Sequence, residues 1–429
     1  MNIVLLSGGS GKRLWPLSNG VLSKQFLKLL KDDKGNFESM VQRIMRQLTS
    51  NIPEANIFVS CHESQVDVIQ QQLNKVEIIS EPDRRDTFPA IVLAAAHLRY
   101  KKQMNDNDIF VTLPIDVFVE NSYFQLLRDV ESFVNNCNIG LLGTIPSYPS
   151  EKYGYIKHIN GKVTGFVEKP SAVEAEKLIS QNALWNCGVA AMKIGYVLDL
   201  AQKYVEFDNF EFLYEQYRNL PKISFDHEVI ENEFSIQTAL HKDEWKDLGT
   251  WNTFVEEIGT NIIGDALISD NSTNTHTLNM LNIPVIVQDM HDAVIIASYD
   301  GILVTSKSGS SHLKPLVERI SCRPMYEQRK WGKHRILDYN TGDSSSLIKR
   351  IHMDAGKSMG YQYHTKHTQI WIILSGKGIL TIDEVDSVVS ANSVIQIPIG
   401  ANCSLLAATK MEFIEVQLGH GELEEVYHS

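Results

Sequence analysis

A glycine-rich turn with basic neighbours lies near the start of the chain, within LLSGGSGKRLWPLS at residues 5–18. The turn consists of Gly8, Gly9, Ser10 and Gly11, and it is followed by Lys12 and Arg13. Because glycines lack Cβ atoms, their backbone N–H groups can converge on phosphate oxygens, and the two cations add positive charge there. The pattern predicts binding of a phosphorylated ligand. The alternative is an ordinary turn after a strand, with solvated basic residues.

The turn matches neither of two common nucleotide-binding motifs. It is not a Walker loop, because no Gly-Lys-Ser/Thr stands at the required spacing. It is not the dinucleotide motif GxGxxG either, because Arg13 and Leu14 follow without a third glycine. A further cation, Lys24, follows after a short loop.

Alternating strand and helix patterns surround this turn. Continuous apolar runs, typical of buried parallel strands, occur at 3–7, 56–60, 77–80, 109–113 and 140–144. Helical spacing occurs at 37–48, and the Ala-rich segment 89–100 begins with proline in its first turn. This alternation over about 250 residues predicts an α/β fold with a doubly wound, mostly parallel sheet.

The pattern changes after Gly259. Short β-prone segments fill 262–308, and Tyr299-Asp300-Gly301 predicts a hairpin turn between two of them. A helix is expected at about 311–320, and Arg323-Pro324 suggests a boundary. From Lys330 onward, strands separated by Gly and Pro turns predict a β-barrel. The expected domains are 1–260, 261–322 (a small β segment plus a helix) and 323–429.

Composition excludes several classes of protein. The chain has 429 residues, and 40 basic against 52 acidic residues give a net charge of −12, which disfavours general nucleic-acid binding. Its apolar runs are shorter than the ~18 residues of a membrane span, so no membrane association is expected. The five cysteines are scattered and the N-terminus resembles a strand rather than a signal peptide, which favours a reduced, cytoplasmic setting.

Seven blocks in the first 251 residues carry a family resemblance. They are residues 5–18, Glu81-Pro82 with RRDTFPA (84–90), LPID (113–116), YGYI (153–156), FVEKP (166–170), WNCG (185–188) and WKDLGTW (245–251). In this order they resemble the sugar-1-phosphate nucleotidyltransferases, and most closely the mannose-1-phosphate guanylyltransferases. Residues 291–320 resemble the small β segment and helix of that family, and 324–418 resemble the cupin-like domain of guanylyltransferase and phosphomannose isomerase fusions.

The resemblance implies transfer of a nucleotidyl group from a nucleoside triphosphate to a sugar 1-phosphate, with release of pyrophosphate. Two polyanions must meet, so the site needs cations more than a general base. The implied catalytic residues are Arg13, Lys24 and Lys169. Asp116 and Asp247 would ligate Mg²⁺ at the carboxyl edge of the sheet. A lone Asp is more often a cap or turn residue.

The resemblance also assigns residues to the two substrates. The nucleotide side comprises Gly8, Gly9, Ser10, Gly11, Lys12, Glu81, Asp86 and Thr87, and the sugar side comprises Gly154, Tyr155, Glu168, Asn186 and Gly188. Asp86 could accept both guanine donors or could cap the following helix. Relatives usually carry Asn at Asp86, Thr at Lys12, His at Val117 and Ser at Cys187. The resemblance makes GTP and mannose 1-phosphate the favoured substrates, and these departures leave CTP, another base or another sugar open.

The C-terminal domain departs from the cupin metal motif, which needs about three imidazoles and one carboxylate. His364 is retained, but Lys366, Gln369 and Cys403 occupy the other three ligand positions. His367 is expected on the opposite strand face, because neighbouring residues of a strand alternate in direction. The domain is therefore expected to stabilise the chain, to join a homo-oligomer interface or to bind a sugar. A bifunctional isomerase and transferase is the alternative, and a sensor without catalysis is disfavoured by the paired carboxylates.

Overall fold

The computed structural model describes residues 1–8, 13–20, 22–73, 75–320, 323–342, 344–420 and 423. The chain packs into two compact units. The N-terminal unit comprises the described residues of 1–10, 23–66 and 73–259, and the C-terminal unit comprises those of 11–22, 67–72 and 260–429. In the described part of the chain, no helix is long and apolar enough to cross a membrane.

The N-terminal unit is an α/β structure. Its strands are β1 (Asn2–Ser7), β2 (Leu30–Lys31), β3 (Phe37–Glu38), β4 (Asn56–His62), β5 (Glu77–Glu81), β6 (Ile109–Pro114), β7 (Val117–Val119), β8 (Ile139–Thr144), β9 (Tyr155–Ile159), β10 (Lys162–Val167), β11 (Leu184–Lys193), β12 (Ile236–His241) and β13 (Trp245–Asp247). Its helices are α1 (Met40–Asn51), α2 (Val66–Gln72, shared with the other unit), α3 (Thr87–Ala96), α4 (Asn121–Gln125), α5 (Leu127–Phe133), α6 (Ala172–Ser180), α7 (Ile194–Ala201), α8 (Phe210–Glu215), α9 (Phe225–Glu228) and α10 (Trp251–Glu257).

The central sheet has the order β5-β4-β1-β6-β11-β8-β12-β10-β9. Strands β5, β4, β1 and β6 are parallel, as are β8 and β12. Strand β11 runs antiparallel to both β6 and β8. The predicted α/β fold is confirmed, and the sheet is mixed. Its parallel part places the ends of β1 and β6 at the same edge, where the site is built.

Two helix predictions have different outcomes. Helix α3 confirms the predicted helix at 89–100, and its apolar residues lie in the core on all sides. The helix expected from Phe37 instead begins at Met40, because Ser39 forms a capping box with Gln42. Phe37 belongs to the short strand β3.

The small β segment of the C-terminal unit contains β14 (Ile262–Ile263), β15 (Ala266–Ile268), β16 (His276–Asn279), β17 (Val285–Val287), β18 (Ala293–Ser298) and β19 (Gly301–Ser306). Strands β18 and β19 pair antiparallel, which confirms the predicted hairpin. The helix expected at 311–320 is shorter. A 3₁₀ turn at Ser308–His312 precedes α11 (Lys314–Val317), because Pro315 has no N–H with which to continue a helix from the preceding turn.

A barrel-like pair of sheets completes this unit. Its strands are β20 (Tyr326–Arg329), β21 (Gly332–Asn340), β22 (Ser345–Met353), β23 (Gln362–Tyr363), β24 (His367–Ser375), β25 (Lys377–Ile382), β26 (Val385–Ser390), β27 (Val394–Ile397), β28 (Asn402–Ala407) and β29 (Met411–Gly419). One sheet has the order β20-β21-β22-β29-β24-β27 and the other β23-β28-β25-β26. Alternate residues of β22 and β29 are buried, as expected of strands with one face in a core.

Residues that follow the glycine turn pack with the C-terminal unit. Asn19 Nδ2 donates to Asp300 Oδ2 at 3.1 Å, and Met325 N donates to Asp300 Oδ1 at 2.6 Å. Gly301 lies against the Trp15 indole so closely that an added Cβ would come within 2.5 Å of the ring. The turn at Asp300 therefore connects residues 13–20 to the start of the barrel.

Candidate active site

The glycine turn begins at the end of β1, in the middle of the parallel part of the sheet. Gln25 Nε2 donates to Ser7 Oγ at 3.1 Å and to Gly8 O at 3.3 Å, which fixes the end of the strand. Gly8 is exposed, and an added Cβ would meet no atom of the described residues within 4 Å. Arg13 is also exposed. The predicted residues Gly9, Ser10, Gly11 and Lys12 lie outside the described residues.

Asp116 and Asp247 converge on Lys24. The Lys24 Nζ lies 3.0 Å from Asp116 Oδ2 and 3.1 Å from Asp247 Oδ1, and it also donates to Leu248 O at 3.3 Å. Asp116 follows β6, whereas Asp247 ends β13. The two strand ends meet because β13 pairs with β7, with Asp247 opposite Val117. The two carboxylates that are distant in the sequence therefore share one cation.

Electrostatic interactions favour the charged form of Lys24. Burial alone would lower its pKa, but Asp116 and Asp247 outweigh that effect and raise the pKa above its usual value. Gly249 leaves room for the Asp247 carboxylate, since an added Cβ would come within 2.9 Å of Oδ2.

The carboxylate oxygens of Asp116 and Asp247 fit Mg²⁺, which prefers oxygen ligands of this kind and keeps several waters. Asp116 and Asp247 side chains are 34% and 26% exposed, so both can still reach solvent or a ligand. Among the described residues, no group of three or more His, Cys, Asp or Glu side chains forms a metal cluster. Two protein carboxylates together with substrate phosphates would be an ordinary Mg²⁺ environment.

Gly154, a predicted sugar-side residue, lies against Phe166 and Glu168. An added Cβ at Gly154 would come within 2.4 Å of Phe166 Cζ and 2.6 Å of Glu168 Oε2, so only glycine fits there. Lys169 has a φ of +47°, and its ammonium pairs with Glu168. The Lys169 side chain is 56% exposed and Glu168 only 7%. A buried carboxylate and an accessible cation therefore lie side by side.

Strand β11 supplies Asn186 and Gly188 at an irregularity in its pairing with β8. Asn186 N donates to Gly154 O at 2.8 Å, and Asn186 Oδ1 accepts from Gly188 N at 3.1 Å. Gly188 has a φ of +74°, in the left-handed region that favours glycine. The Asn186 amide also donates to Asp226 Oδ1 at 2.7 Å.

Asp226 is a functional candidate that the sequence blocks missed. It lies on α9, beside Asn186 and within electrostatic reach of Glu168. Burial, followed by the charge of Glu168, raises the pKa of Asp226 to about 6. The signal in the sequence was one Asp in a short polar helix, which is usually a surface residue.

Tyr155 does not line the sugar side. It is fully buried, and its hydroxyl donates to Ser150 O at 3.1 Å and accepts from Ser150 N at 2.9 Å. Contrary to its assignment, Tyr155 is therefore not available to a sugar in this structure, because the first residue of β9 is packed in the core with its hydroxyl already bonded.

The residues predicted on the base side differ in their exposure to solvent. Asp86 is exposed, has a φ of +72°, and accepts from Thr87 N at 2.8 Å as the residue that caps α3. Thr87 Oγ1 accepts from Phe225 N at 2.8 Å. Glu81 is buried and accepts from Ser60 Oγ and Tyr217 Oη, and burial raises its pKa. Glu81 therefore supports the sheet core rather than presenting a free carboxylate to a nucleotide.

The barrel interior corrects one prediction. The chain between β23 and β24 is not a strand, so the alternation of faces is interrupted there. As a result Lys366 is exposed, whereas His364 and His367 are both buried with ring centroids 4.5 Å apart. The expectation that His367 faces away from His364 was wrong.

These residues do not fit a cupin metal centre. The Gln369 amide is held between His367 Nε2 at 3.4 Å and Trp371 Nε1 at 3.1 Å. Burial raises the pKa of Cys403 to about 12, so its thiolate is disfavoured. The buried carboxylate of Glu415 lies 3.8 Å from the Lys349 ammonium, which already supplies a cation.

The chain matches two known protein families. A family model described as Nucleotidyl transferase matches residues 2–261, and one described as Mannose-6-phosphate isomerase C-terminal matches residues 322–426. Since the first covers more than half of the chain, the protein belongs to the nucleotidyl transferase family.

Particular relatives extend over nearly the whole chain. Mannose-1-phosphate guanylyltransferase 2 of Escherichia coli O157:H7 is 28% identical, covering 94% of this chain and 91% of the relative. Mannose-1-phosphate guanylyltransferase of Escherichia coli strain K12 is 27% identical, covering 97% and 95%. A crystal structure described as mannose-1-phosphate geranyltransferase from Thermus thermophilus covers 74% of this chain and 98% of that one, with 24% identity and a TM-score of 0.60. That likeness shows a shared fold.

Proposed function

We propose that this nucleotidyltransferase transfers a guanylyl group from GTP to mannose 1-phosphate, forming GDP-mannose and pyrophosphate. The observation that carries the proposal is the convergence of Asp116 and Asp247 on the Lys24 ammonium. The choice of substrates follows the full-length relatives, which are named mannose-1-phosphate guanylyltransferases.

In the proposed reaction, a phosphate oxygen of the sugar 1-phosphate attacks the α-phosphorus of the triphosphate. A new P–O bond forms, the bond from the α-phosphorus to the bridging oxygen breaks, and pyrophosphate leaves with that electron pair. No proton transfer is needed, so the residues act by positioning and by compensating charge.

Asp116 and Asp247 would hold Mg²⁺, which would supply positive charge to the reacting phosphates. The Lys24 ammonium lies between these carboxylates. With Mg²⁺ compensating the two carboxylates, Lys24 would be available to bond a phosphate. The exposed side chains of Arg13 and Lys169 are available for the triphosphate and the sugar phosphate, respectively.

The base and the cellular location are parts of the same proposal. The Asp86 carboxylate is exposed beside the base-side loop and could accept both N–H donors of guanine. Because Thr87 N uses only one of the acceptor sites of this carboxylate, at Oδ1, capping and base recognition are compatible. The described cysteines Cys61, Cys137, Cys187 and Cys403 are free, which supports a reduced, cytoplasmic setting.

The first experiment is a matrix of nucleoside triphosphates against several sugar 1-phosphates, read as pyrophosphate release. We expect GTP with mannose 1-phosphate to give the highest kcat/KM, and only when Mg²⁺ is present. Asp116→Ala and Asp247→Ala should each abolish release while circular dichroism shows an intact fold. Asp129→Ala, at an exposed carboxylate on α5, is the matched control and should retain activity. Undiminished turnover in either site variant would reject the assignment.

A second candidate function is isomerisation of a sugar phosphate by the C-terminal unit. The match of residues 322–426 to an isomerase C-terminal model favours it. The barrel interior opposes it. The buried polar side chains there are the imidazoles of His364 and His367, the amides of Gln369 and Gln417, and the Glu415 carboxylate that is paired with Lys349. Such a set makes a poor metal site. An assay of fructose 6-phosphate conversion to mannose 6-phosphate, with and without added zinc or cobalt, decides between the two.

A further inference from the structure

The start of α9 connects the two substrate sides of the site. Phe225 N donates to Thr87 Oγ1 at 2.8 Å, on the base side. The next residue, Asp226, accepts from Asn186 Nδ2 at 2.7 Å, on the sugar side. Two consecutive residues are thus held by blocks that are far apart in the sequence.

The bond to Asp226 completes the fixation of Asn186. The Asn186 backbone N–H and side-chain oxygen are already bonded to Gly154 and Gly188. With its amide nitrogen held by Asp226, the side chain is constrained at both ends. Asp226 therefore determines which way the Asn186 amide faces.

The groups around Asp226 destabilise its negative charge, so its carboxylate is expected to gain from accepting a hydroxyl. Glu168 and Asp86 add negative charge, and Lys169 partly compensates it. Its own segment contributes further charged or titratable groups, namely His227, Glu228 and Glu231. Two carboxyl groups within electrostatic reach of each other, such as Asp226 and Glu168, are destabilised unless hydrogen-bond donors compensate them. The hydroxyls of a sugar are such donors.

We infer that Asp226 is a specificity-determining residue for the sugar, which accepts a hydroxyl together with Glu168 and holds Asn186 in its binding orientation. This inference rests on the proposed function, since it assumes that a sugar 1-phosphate enters beside Gly154. It assigns selectivity for a free sugar hydroxyl to a residue on α9 rather than to the glycine turn.

Two variants test the inference. Asp226→Ala removes both the hydroxyl acceptor and the support of Asn186. It should raise the KM for mannose 1-phosphate by about 10-fold or more, as expected when a hydrogen bond to a charged group is lost. The KM for GTP should change by less than about twofold, the smallest effect of losing one neutral hydrogen bond, because the bond from Phe225 N to Thr87 Oγ1 is made by the backbone and is retained. Asp226→Asn keeps an acceptor for Asn186 and should show a smaller rise. Asp199→Ala, at an exposed carboxylate on α7, is the control and should change neither constant.

A pH profile separates this role from a merely structural one. The phosphate of the substrate also titrates near pH 6, so kcat/KM for the sugar should fall below pH 6 in every variant. In the wild type Asp226 titrates as well, so the fall should be steeper than in Asp226→Asn. Identical slopes, or an unchanged KM for the sugar in Asp226→Ala, would overturn the inference.

Calorimetric binding of mannose 1-phosphate separates this inference from the proposed reaction. If the wild type binds the sugar phosphate but releases no pyrophosphate, the proposed reaction fails and Asp226 can still be tested by affinity. Loss of affinity in Asp226→Ala then supports the inference, and equal affinity rejects it. If the wild type does not bind any sugar 1-phosphate, both fail together.

Discussion

Replacing Lys24 with methionine should destabilise the N-terminal unit in a way that magnesium partly reverses. The substitution keeps a long side chain but removes the cation that Asp116 and Asp247 share. Both contacts are about 3 Å long, so the two oxygens can be no more than about 6 Å apart. Without Lys24, two negative charges face each other at that distance.

Coulomb's law gives the size of the effect. Two like charges about 6 Å apart at an effective dielectric constant of about 20 repel by about 3 kcal/mol. For a domain of this size, each kcal/mol of stability lost lowers Tm by about 2–4 °C. Since the raised pKa of Lys24 keeps it charged through neutral pH, the stabilisation it provides is fully present below about pH 10 and is lost only as pH rises through the folded-state pKa.

The measurement is thermal unfolding in EDTA and in millimolar Mg²⁺. We expect Lys24→Met to unfold at a lower temperature in EDTA and to gain more from Mg²⁺ than the wild type gains. Lys24→Met with Asp247→Asn should recover most of the stability in EDTA, because one of the two charges is gone. Lys28→Met, at an exposed lysine nearby, is the control. If Lys24→Met is as stable as the wild type in EDTA, the repulsion argument is wrong, and if Mg²⁺ has no greater effect on it, the proposed ion site is wrong.

Three further outcomes are expected. Gly154→Ala should raise the KM for the sugar 1-phosphate and leave the KM for GTP unchanged, because the new methyl group would displace Phe166 and Glu168. A KM for the sugar 1-phosphate equal to that of the wild type would contradict this. Asp226→Asn should raise stability at pH 7 by about 1–2 kcal/mol, because it removes a half-buried charge. Since the pKa of Asp226 is raised to about 6, that gain should be complete above pH 6 and shrink as pH falls towards 4, which denaturant titrations at several pH values can check. Purified protein supplied with zinc or cobalt should show no fructose 6-phosphate isomerisation, and measurable turnover would refute the argument from the barrel residues.

Much of the fold could be predicted because its signals are local. Continuous apolar runs marked the buried strands β1, β4, β5, β6 and β8, and the Ala-rich segment marked α3. The start of α1 was misplaced because Phe37 extends the helical spacing, whereas the capping box at Ser39 decides where the helix begins. A periodic pattern does not contain that information, but the Ser-x-x-Gln spacing does.

The position of Asp116 was predictable, because one motif supplied the residue and the end of the parallel strand β6 placed it at the edge of the sheet. The face on which His367 lies was not predictable, because an irregular stretch of backbone interrupts the strand alternation before it. The two buried imidazoles, His364 and His367, share an interior because the chain between them leaves the strand conformation. Asp226 was missed for another reason, since its importance depends on the partner Asn186, which lies 40 positions away.

The attachment of residues 13–20 to the turn at Asp300 has a consequence for engineering this chain. A cut after Gly259 would remove more than the barrel, because it would strip away the surface on which the stretch carrying Arg13 rests. Chimeras that exchange C-terminal halves between relatives would likewise have to keep Asn19 and Asp300 matched. The two halves of this polypeptide are therefore not interchangeable modules, because residues 13–20 come early in the sequence but belong to the C-terminal unit.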